Sequence, residues 1–198
     1  MSITLIYGPM FSGKTTKLIE IYENLMSKEK EKEKEKEKEK EKCIAINYAL
    51  DKRYIENKIV SHDGLNIDCY SITNIEEFYN LEKQLILDAD HIFINEAQFF
   101  ESIDNWVLYL NQVLKKNVIL CGLDLDYKRE KFGTMMNLIP YATTIHKMTG
   151  QCAKCENASQ FSYRIVNNDS QILIGNSEYI PLCEICYNNQ SLVGFLTS

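Results

Sequence analysis

Between Gly8 and Thr15 the chain reads Gly-Pro-Met-Phe-Ser-Gly-Lys-Thr, which fits the pattern G-x-x-x-x-G-K-[ST]. Before it stands Ile3-Thr4-Leu5-Ile6-Tyr7, a short β-branched apolar run of the kind that forms a buried parallel strand. After it, from about Gly13 to Met26, Leu18, Ile21, Tyr22 and Leu25 recur at helical spacing. Strand, glycine loop and helix are therefore expected in that order. Glycines let such a loop curl so that successive N–H groups face phosphate oxygens, and the helix N-terminus adds the positive end of its dipole. Gly8, Pro9, Met10, Phe11, Ser12, Gly13, Lys14 and Thr15 are accordingly assigned to an ATP or GTP site. Lys14 is assigned to the β- and γ-phosphates and the Thr15 hydroxyl to Mg²⁺.

The remaining pattern extends this start into an α/β fold. Cys43–Tyr48, Ile92–Ile94 and Val118–Cys121 read as further strands. Ile75–Leu87 and Ser102–Leu114 carry apolar residues at three-to-four spacing. Such alternation points to a parallel sheet wrapped by helices, and 198 residues suffice for one such core plus a small appendage. From Lys28 to Lys42 lysine and glutamate alternate without a break. That repeat puts like charges at i,i+4 and opposite charges at i,i+3, so a helix is permitted and not enforced. It is read as a solvated insertion. Past Met148 the texture changes to short polar and β-type pieces. The expected organisation is a core over 1–147 with the insertion at 28–42, a small lobe over 148–190, and a tail over 191–198.

Charge narrows the partner. A net charge of −6 disfavours a polynucleotide, whose binders carry basic patches. No apolar run reaches the length of a membrane span, and the N-terminus lacks a signal peptide's basic start. A cytoplasmic protein is expected.

Two further constellations carry chemistry. A P-loop site takes a second magnesium contact from the end of a neighbouring strand, usually an Asp after an apolar run. Here the run His91-Ile92-Phe93-Ile94 is followed by Asn95 and Glu96. Asn95 offers an oxygen without a charge. By strand alternation Glu96 projects differently, above the sheet, where a catalytic base for an acceptor hydroxyl belongs. The second constellation is Cys152-x-x-Cys155 and Cys183-x-x-Cys186, four of the seven cysteines. Two such pairs suit tetrahedral zinc with no open position, hence a structural ion; a redox dithiol is the alternative. Cys43, Cys69 and Cys121 stand alone in or beside apolar stretches, as buried free thiols do.

The set of Gly8–Thr15, Asp51-Lys52-Arg53-Tyr54, Ser61-His62-Asp63, Asn95-Glu96-Ala97-Gln98-Phe99-Phe100, Leu123-Asp124, Phe132-Gly133 and the cysteine pairs bracketing Ile172-Leu173-Ile174-Gly175 and Tyr179 resembles the type II thymidine kinases. The resemblance implies a RecA-like P-loop core and a zinc-ribbon-like lobe with a lasso loop closing over thymidine. It implies transfer of the γ-phosphate of ATP to the 5′-hydroxyl. Glu96 matches the catalytic base, with Lys14 and Arg53 as its catalytic partners. Asp51, Lys52, Arg53, Asn95, Ala97 and Gln98 fall among the ATP and magnesium residues. Met10, Leu123, Tyr127, Phe132 and Ser162 match the thymine pocket, and Ile172, Leu173, Ile174, Gly175 and Tyr179 the lasso. The family's homotetramer and its feedback inhibition by dTTP are implied with them. Two other readings remain at this point: a nucleic-acid-dependent ATPase with a zinc ribbon, and an inactive nucleotide-binding regulator marked by Asn95.

Overall fold

A computed structural model describes residues 1–34, 41–50 and 57–196. Asp51, Lys52 and Arg53 lie outside the described residues, as does the middle of the Lys/Glu repeat. The order of elements is β1 (Ile3–Tyr7), α1 (Lys14–Lys34), β2 (Cys43–Tyr48), β3 (Lys58–Val60), β4 (Asn66–Asp68), β5 (Tyr70–Ile72), α2 (Ile75–Leu81), α3 (Lys83–Asp88), β6 (His91–Ile94), α4 (Ile103–Leu108), β7 (Asn117–Gly122), β8 (Thr144–Lys147), β9 (Gly150–Gln151), β10 (Ala158–Ser159), β11 (Phe161–Arg164), β12 (Tyr179–Leu182) and α5 (Glu184–Leu196).

Six strands form one sheet in the order β5-β2-β6-β7-β1-β8, and every pairing within it is parallel. Strand alternation explains how the sheet is covered on both faces. Ile44, Ile46, Ile92, Ile94, Val118 and Leu120 face one side, where Ile75, Phe78, Ile103 and Val107 of α2 and α4 pack on them. Ala45, Phe93, Ile119 and Cys121 face the other, under Leu18 and Ile19 of α1. Each buried aliphatic side chain contributes roughly 1.5–3 kcal/mol. The apolar runs in the sequence are thus strands whose two faces both need a partner.

Several expectations are modified. The helix expected over Ile75–Leu87 breaks at Glu82, which leaves the helical region at φ −115° and ψ 33°. The break leaves Leu81 75% exposed while Ile86 returns to the core. The stretch Ser102–Leu114 begins as α4 and widens into a π turn at Tyr109–Val113, which buries Leu110. Strand β6 does not adjoin β1, because β7 pairs with both; the expected neighbouring strand is one place further away. Of the lone cysteines only Cys121 is buried, and Cys43 and Cys69 are half-buried. The repeat is helical at its start, since α1 runs on to Lys34. Edge strand β8 and the β3–β4 hairpin carry too little apolar patterning to be read from sequence. After Lys147, among the described residues, the strands form two-stranded pairs, β9 with β10 and β11 with β12, followed by α5.

Candidate active site

The phosphate loop is held by its own backbone. Gly8 has φ 152°, and a Cβ there would lie 2.2 Å from the Met148 carbonyl oxygen, so no side chain fits between the loop and the segment after β8. Ser12 Oγ donates to the Pro9 carbonyl at 2.8 Å, and Lys14 Nζ donates to the same oxygen at 2.6 Å. The loop is also tied to the small lobe, because the Met10 N–H donates to Ser162 Oγ at 2.8 Å. Lys14 and Thr15 open α1 directly after this turn, which puts the ammonium and hydroxyl at the helix N-terminus.

At the carboxyl end of β6 the side chains form a neutral network. Asn95 Oδ1 accepts from the Thr15 hydroxyl at 3.4 Å and from the Cys121 thiol at 2.9 Å. Its Nδ2 donates to Asn47 Oδ1 at 2.9 Å. Burial, and then the negative charge of Glu96, push the Cys121 thiol up to about 12, with Lys14 opposing. The thiol is therefore a proton donor here and not a nucleophile.

Glu96 is aimed by something other than strand alternation. The strand ends at Ile94, and Glu96 adopts a left-handed backbone, φ 53° and ψ 42°, at a cost of about 1–3 kcal/mol for a non-glycine residue. Its Oε2 accepts from Gln98 Nε2 at 2.7 Å, and Gln98 Oε1 accepts the Leu123 N–H at 3.0 Å. Gly133 closes on this support: its φ is +64° and a Cβ would lie 2.5 Å from the Gln98 carbonyl oxygen.

These groups meet at one cleft of about 120 Å³. Met10 to Thr15, Asn95, Glu96, Gln98, Leu123, Tyr127, Phe132, Ser162, Ile172 to Gly175 and Tyr179 all border it. Gly8 and Pro9 are not among its lining residues, and Ala97 is fully buried in the core. Sequence reasoning did not single out Phe99, Asp126, Gln171 or Arg164. Phe99 sits edge-on to Phe132 with centroids 5.4 Å apart. Gln171 Nε2 donates to Asp126 Oδ2 at 2.8 Å. Arg164, 6% exposed, lays its guanidinium 3.6 Å from the centre of the Tyr127 ring. It donates to the carbonyls of Asn168, Ser170 and Gln171 and to the Tyr179 hydroxyl, which in turn donates to the Leu173 carbonyl. A lone arginine in the alternating strand Phe161–Arg164 was the available signal.

The Sγ atoms of Cys152, Cys155, Cys183 and Cys186 lie within 4.8 Å of one another, with Cys155 and Cys183 3.5 Å apart. Tetrahedral zinc with Zn–S near 2.3 Å asks for about 3.8 Å between sulfurs, so the donor set fits that ion. Burial would raise the Cys152 thiol, but N–H groups of Cys183, Lys154 and Cys155 and the Cys155 side chain outweigh it and hold it down to about 6, whereas the Cys155 side chain and burial push Cys186 up to about 12.

A parallel sheet, a phosphate loop opening a helix and a carboxylate bordering the same cleft as that loop define a P-loop phosphotransferase. The thymidine kinase family model matches residues 1–187. Among curated proteins, a thymidine kinase of Amsacta moorei entomopoxvirus is 36% identical, over 96% of this chain and 99% of its own. Thymidine kinase 1 of Dictyostelium discoideum is 35% identical, over 97% of this chain and 80% of its own. A thymidine kinase of Bacteroides thetaiotaomicron is 34% identical, over 93% and 86% respectively. The chain belongs to the thymidine kinase family. Among the described residues, no helix is long and apolar enough to cross a membrane.

Proposed function

We propose that this thymidine kinase transfers the γ-phosphate of ATP to the 5′-hydroxyl of thymidine, giving dTMP and ADP, with Glu96 as the general base. The observation carrying the reading is that Lys14 of the phosphate loop, Glu96 with its Gln98 support, and the ring-lined wall of Tyr127 and Phe132 all border one cleft. Phosphoryl transfer asks mainly for positioning and charge stabilisation. The N–H groups of Met10 to Thr15 and the Lys14 ammonium bind the phosphates. Thr15, Asn95 and Asp51 are the residues that would hold Mg²⁺, which when bound neutralises phosphate charge. Arg53, matched to the same set by the resemblance, would add a cation. Glu96 accepts the 5′-hydroxyl proton as the oxygen bonds to phosphorus. Gln98, donating to Glu96 Oε2, orients the carboxylate for that transfer.

Flat rings at Tyr127 and Phe132, with Met10, Leu123 and Ser162, form the base pocket, and backbone from Ile172 to Gly175 closes it with Tyr179 beneath. Cys152, Cys155, Cys183 and Cys186 hold a structural zinc that anchors the 148–190 lobe against the 1–147 core. The reading carries with it a cytoplasmic homotetramer inhibited by dTTP. Radiolabelled phosphate transfer from ATP across the common deoxynucleosides tests it, with thymidine expected as the preferred acceptor. ATP turnover that depends on DNA and ignores nucleosides would overturn it.

A further inference from the structure

Tyr187 directly follows the zinc-type residue Cys186 in the chain and is buried among Cys152, Leu182 and Cys183. Its N–H donates to the Cys183 carbonyl at 2.9 Å. Its ring is fixed edge-on by Phe161 and Tyr163, each with centroids 5.4 Å away. A tyrosine so enclosed needs a partner for its hydroxyl. The partner is outside the cysteine knuckle: Tyr187 Oη donates to the backbone carbonyl of Tyr127 at 2.5 Å.

Tyr127 is the residue whose ring borders the cleft and carries the Arg164 guanidinium on one face. The same loop is gripped a second time. Arg129 lays its guanidinium 4.6 Å from the Tyr187 ring centre and 5.3 Å from that of Phe161, and its Nη1 donates to Asn188 Oδ1 at 3.1 Å. Within the loop, Asp126 Oδ1 accepts the N–H groups of Lys128 and Glu130, so residues 126–130 move as one unit. The helix that begins at the cysteine knuckle thus holds this unit from one side, and the cleft lies on the other.

We infer that Tyr187 is a positioning residue for the nucleoside site, which fixes the Tyr127 wall to the four-cysteine knuckle through its hydroxyl. The inference rests on the proposed function for the identity of the ligand, but not for the connection itself. Loss of the hydroxyl frees the Tyr127 carbonyl and lets the 126–130 unit shift, which loosens the base pocket. The phosphate loop is held by the Pro9 carbonyl and, from β11, by Ser162 Oγ; it is not affected as long as the Tyr187 ring keeps its packing on β11.

The test uses the full-length, zinc-loaded protein and Tyr187→Phe, which keeps the ring and its packing. Calorimetry with thymidine and with a non-hydrolysable ATP analogue is combined with zinc analysis and amide hydrogen exchange over residues 126–130. Expected are thymidine binding weakened about three- to tenfold, the range for one hydrogen bond, an unchanged ATP analogue affinity, unchanged zinc and faster exchange over 126–130. Wild-type thymidine affinity together with wild-type exchange would overturn the inference. So would equal weakening of both ligands with loss of zinc, which marks a merely structural role. Failure of the wild-type protein to bind thymidine would defeat the functional reading alone; exchange over 126–130 would still decide the connection.

Discussion

Gln98 donates from Nε2 to the Glu96 carboxylate at 2.7 Å and accepts the Leu123 N–H on Oε1 at 3.0 Å, so one amide orients the proposed base and a wall of the base pocket together. Glu96→Gln keeps the shape but cannot take a proton. It is expected to lower kcat about 10²–10⁴-fold with little change in the KM for thymidine. Gln98→Ala is expected to lower kcat/KM on the order of 10- to 100-fold, through misplacement of both groups, with kcat and thymidine KM both affected. Steady-state kinetics separate the two. Near-normal kcat in Glu96→Gln would move the base elsewhere.

Lys14→Ala should abolish measurable transfer and leave the fold intact. Its ammonium reaches the Pro9 carbonyl at the surface of the loop and supports no core packing. Removing one preorganised charge facing the moving phosphoryl group costs about 10²–10³-fold or more. Retention of rate within about tenfold, with unchanged circular dichroism, would remove the phosphate loop from the mechanism.

What could be read in the sequence was what local pattern determines. Ile3–Tyr7 and Cys43–Tyr48 are strands as read, because uninterrupted apolar runs need cover on both faces, and the phosphate loop sits where its glycines place it. The four cysteines meet because each pair is already a tight turn. Strand alternation is an incomplete argument for Glu96, since its direction comes from a left-handed turn after the strand has ended. The break at Glu82 was not legible, because the apolar spacing continues through it and only packing against the sheet returns Ile86 to the core. Nor were Arg164 and Tyr187, whose partners lie 15 and 60 residues away in the chain. No periodicity encodes such pairs.

Zinc analysis should find one ion per chain, and Cys152→Ser or Cys186→Ser should lower both metal content and melting temperature, because metal binding here is folding free energy. Chelation is expected to impair thymidine binding before nucleotide binding, since the knuckle reaches the base pocket directly through Tyr187. A metal-free preparation with full activity would refute the assignment.

Deletion within the repeat should be kinetically silent if it spares its C-terminal end. Glu41 Oε2 lies 3.0 Å from His91 Nε2, and the Lys42 N–H donates to Asp90 Oδ2 at 2.9 Å, which ties the chain down before β2. Removing Lys30 through Glu39 is therefore expected to leave kcat and both KM values unchanged, as a charged repeat buries no apolar surface. Extending the deletion through Glu41 should lower the melting temperature. A large loss of activity from the shorter deletion would show that the repeat touches the site or a subunit contact.

Gly133→Ala tests how the base and its pocket share one support. Two penalties act there. The backbone sits at φ +64°, where an alanine costs about 1–2 kcal/mol. The new methyl would also lie 2.5 Å from the Gln98 carbonyl oxygen and 3.2 Å from its Cα; these are backbone atoms that cannot rotate away. Relief must come from moving either Gln98 or the loop carrying Phe132. Moving Gln98 disturbs the 2.7 Å bond to Glu96, and moving Phe132 opens the pocket against Phe99. The expected result is a lower melting temperature together with reduced kcat and raised thymidine KM, while the KM for ATP holds. Gly64→Ala provides the comparison, because Gly64 has φ +86° with nothing within 4 Å of the added methyl. It should lose stability by the conformational term alone and keep wild-type kinetics. If Gly133→Ala behaves like Gly64→Ala, the contact with Gln98 yields without cost, and the shared support does not control the site.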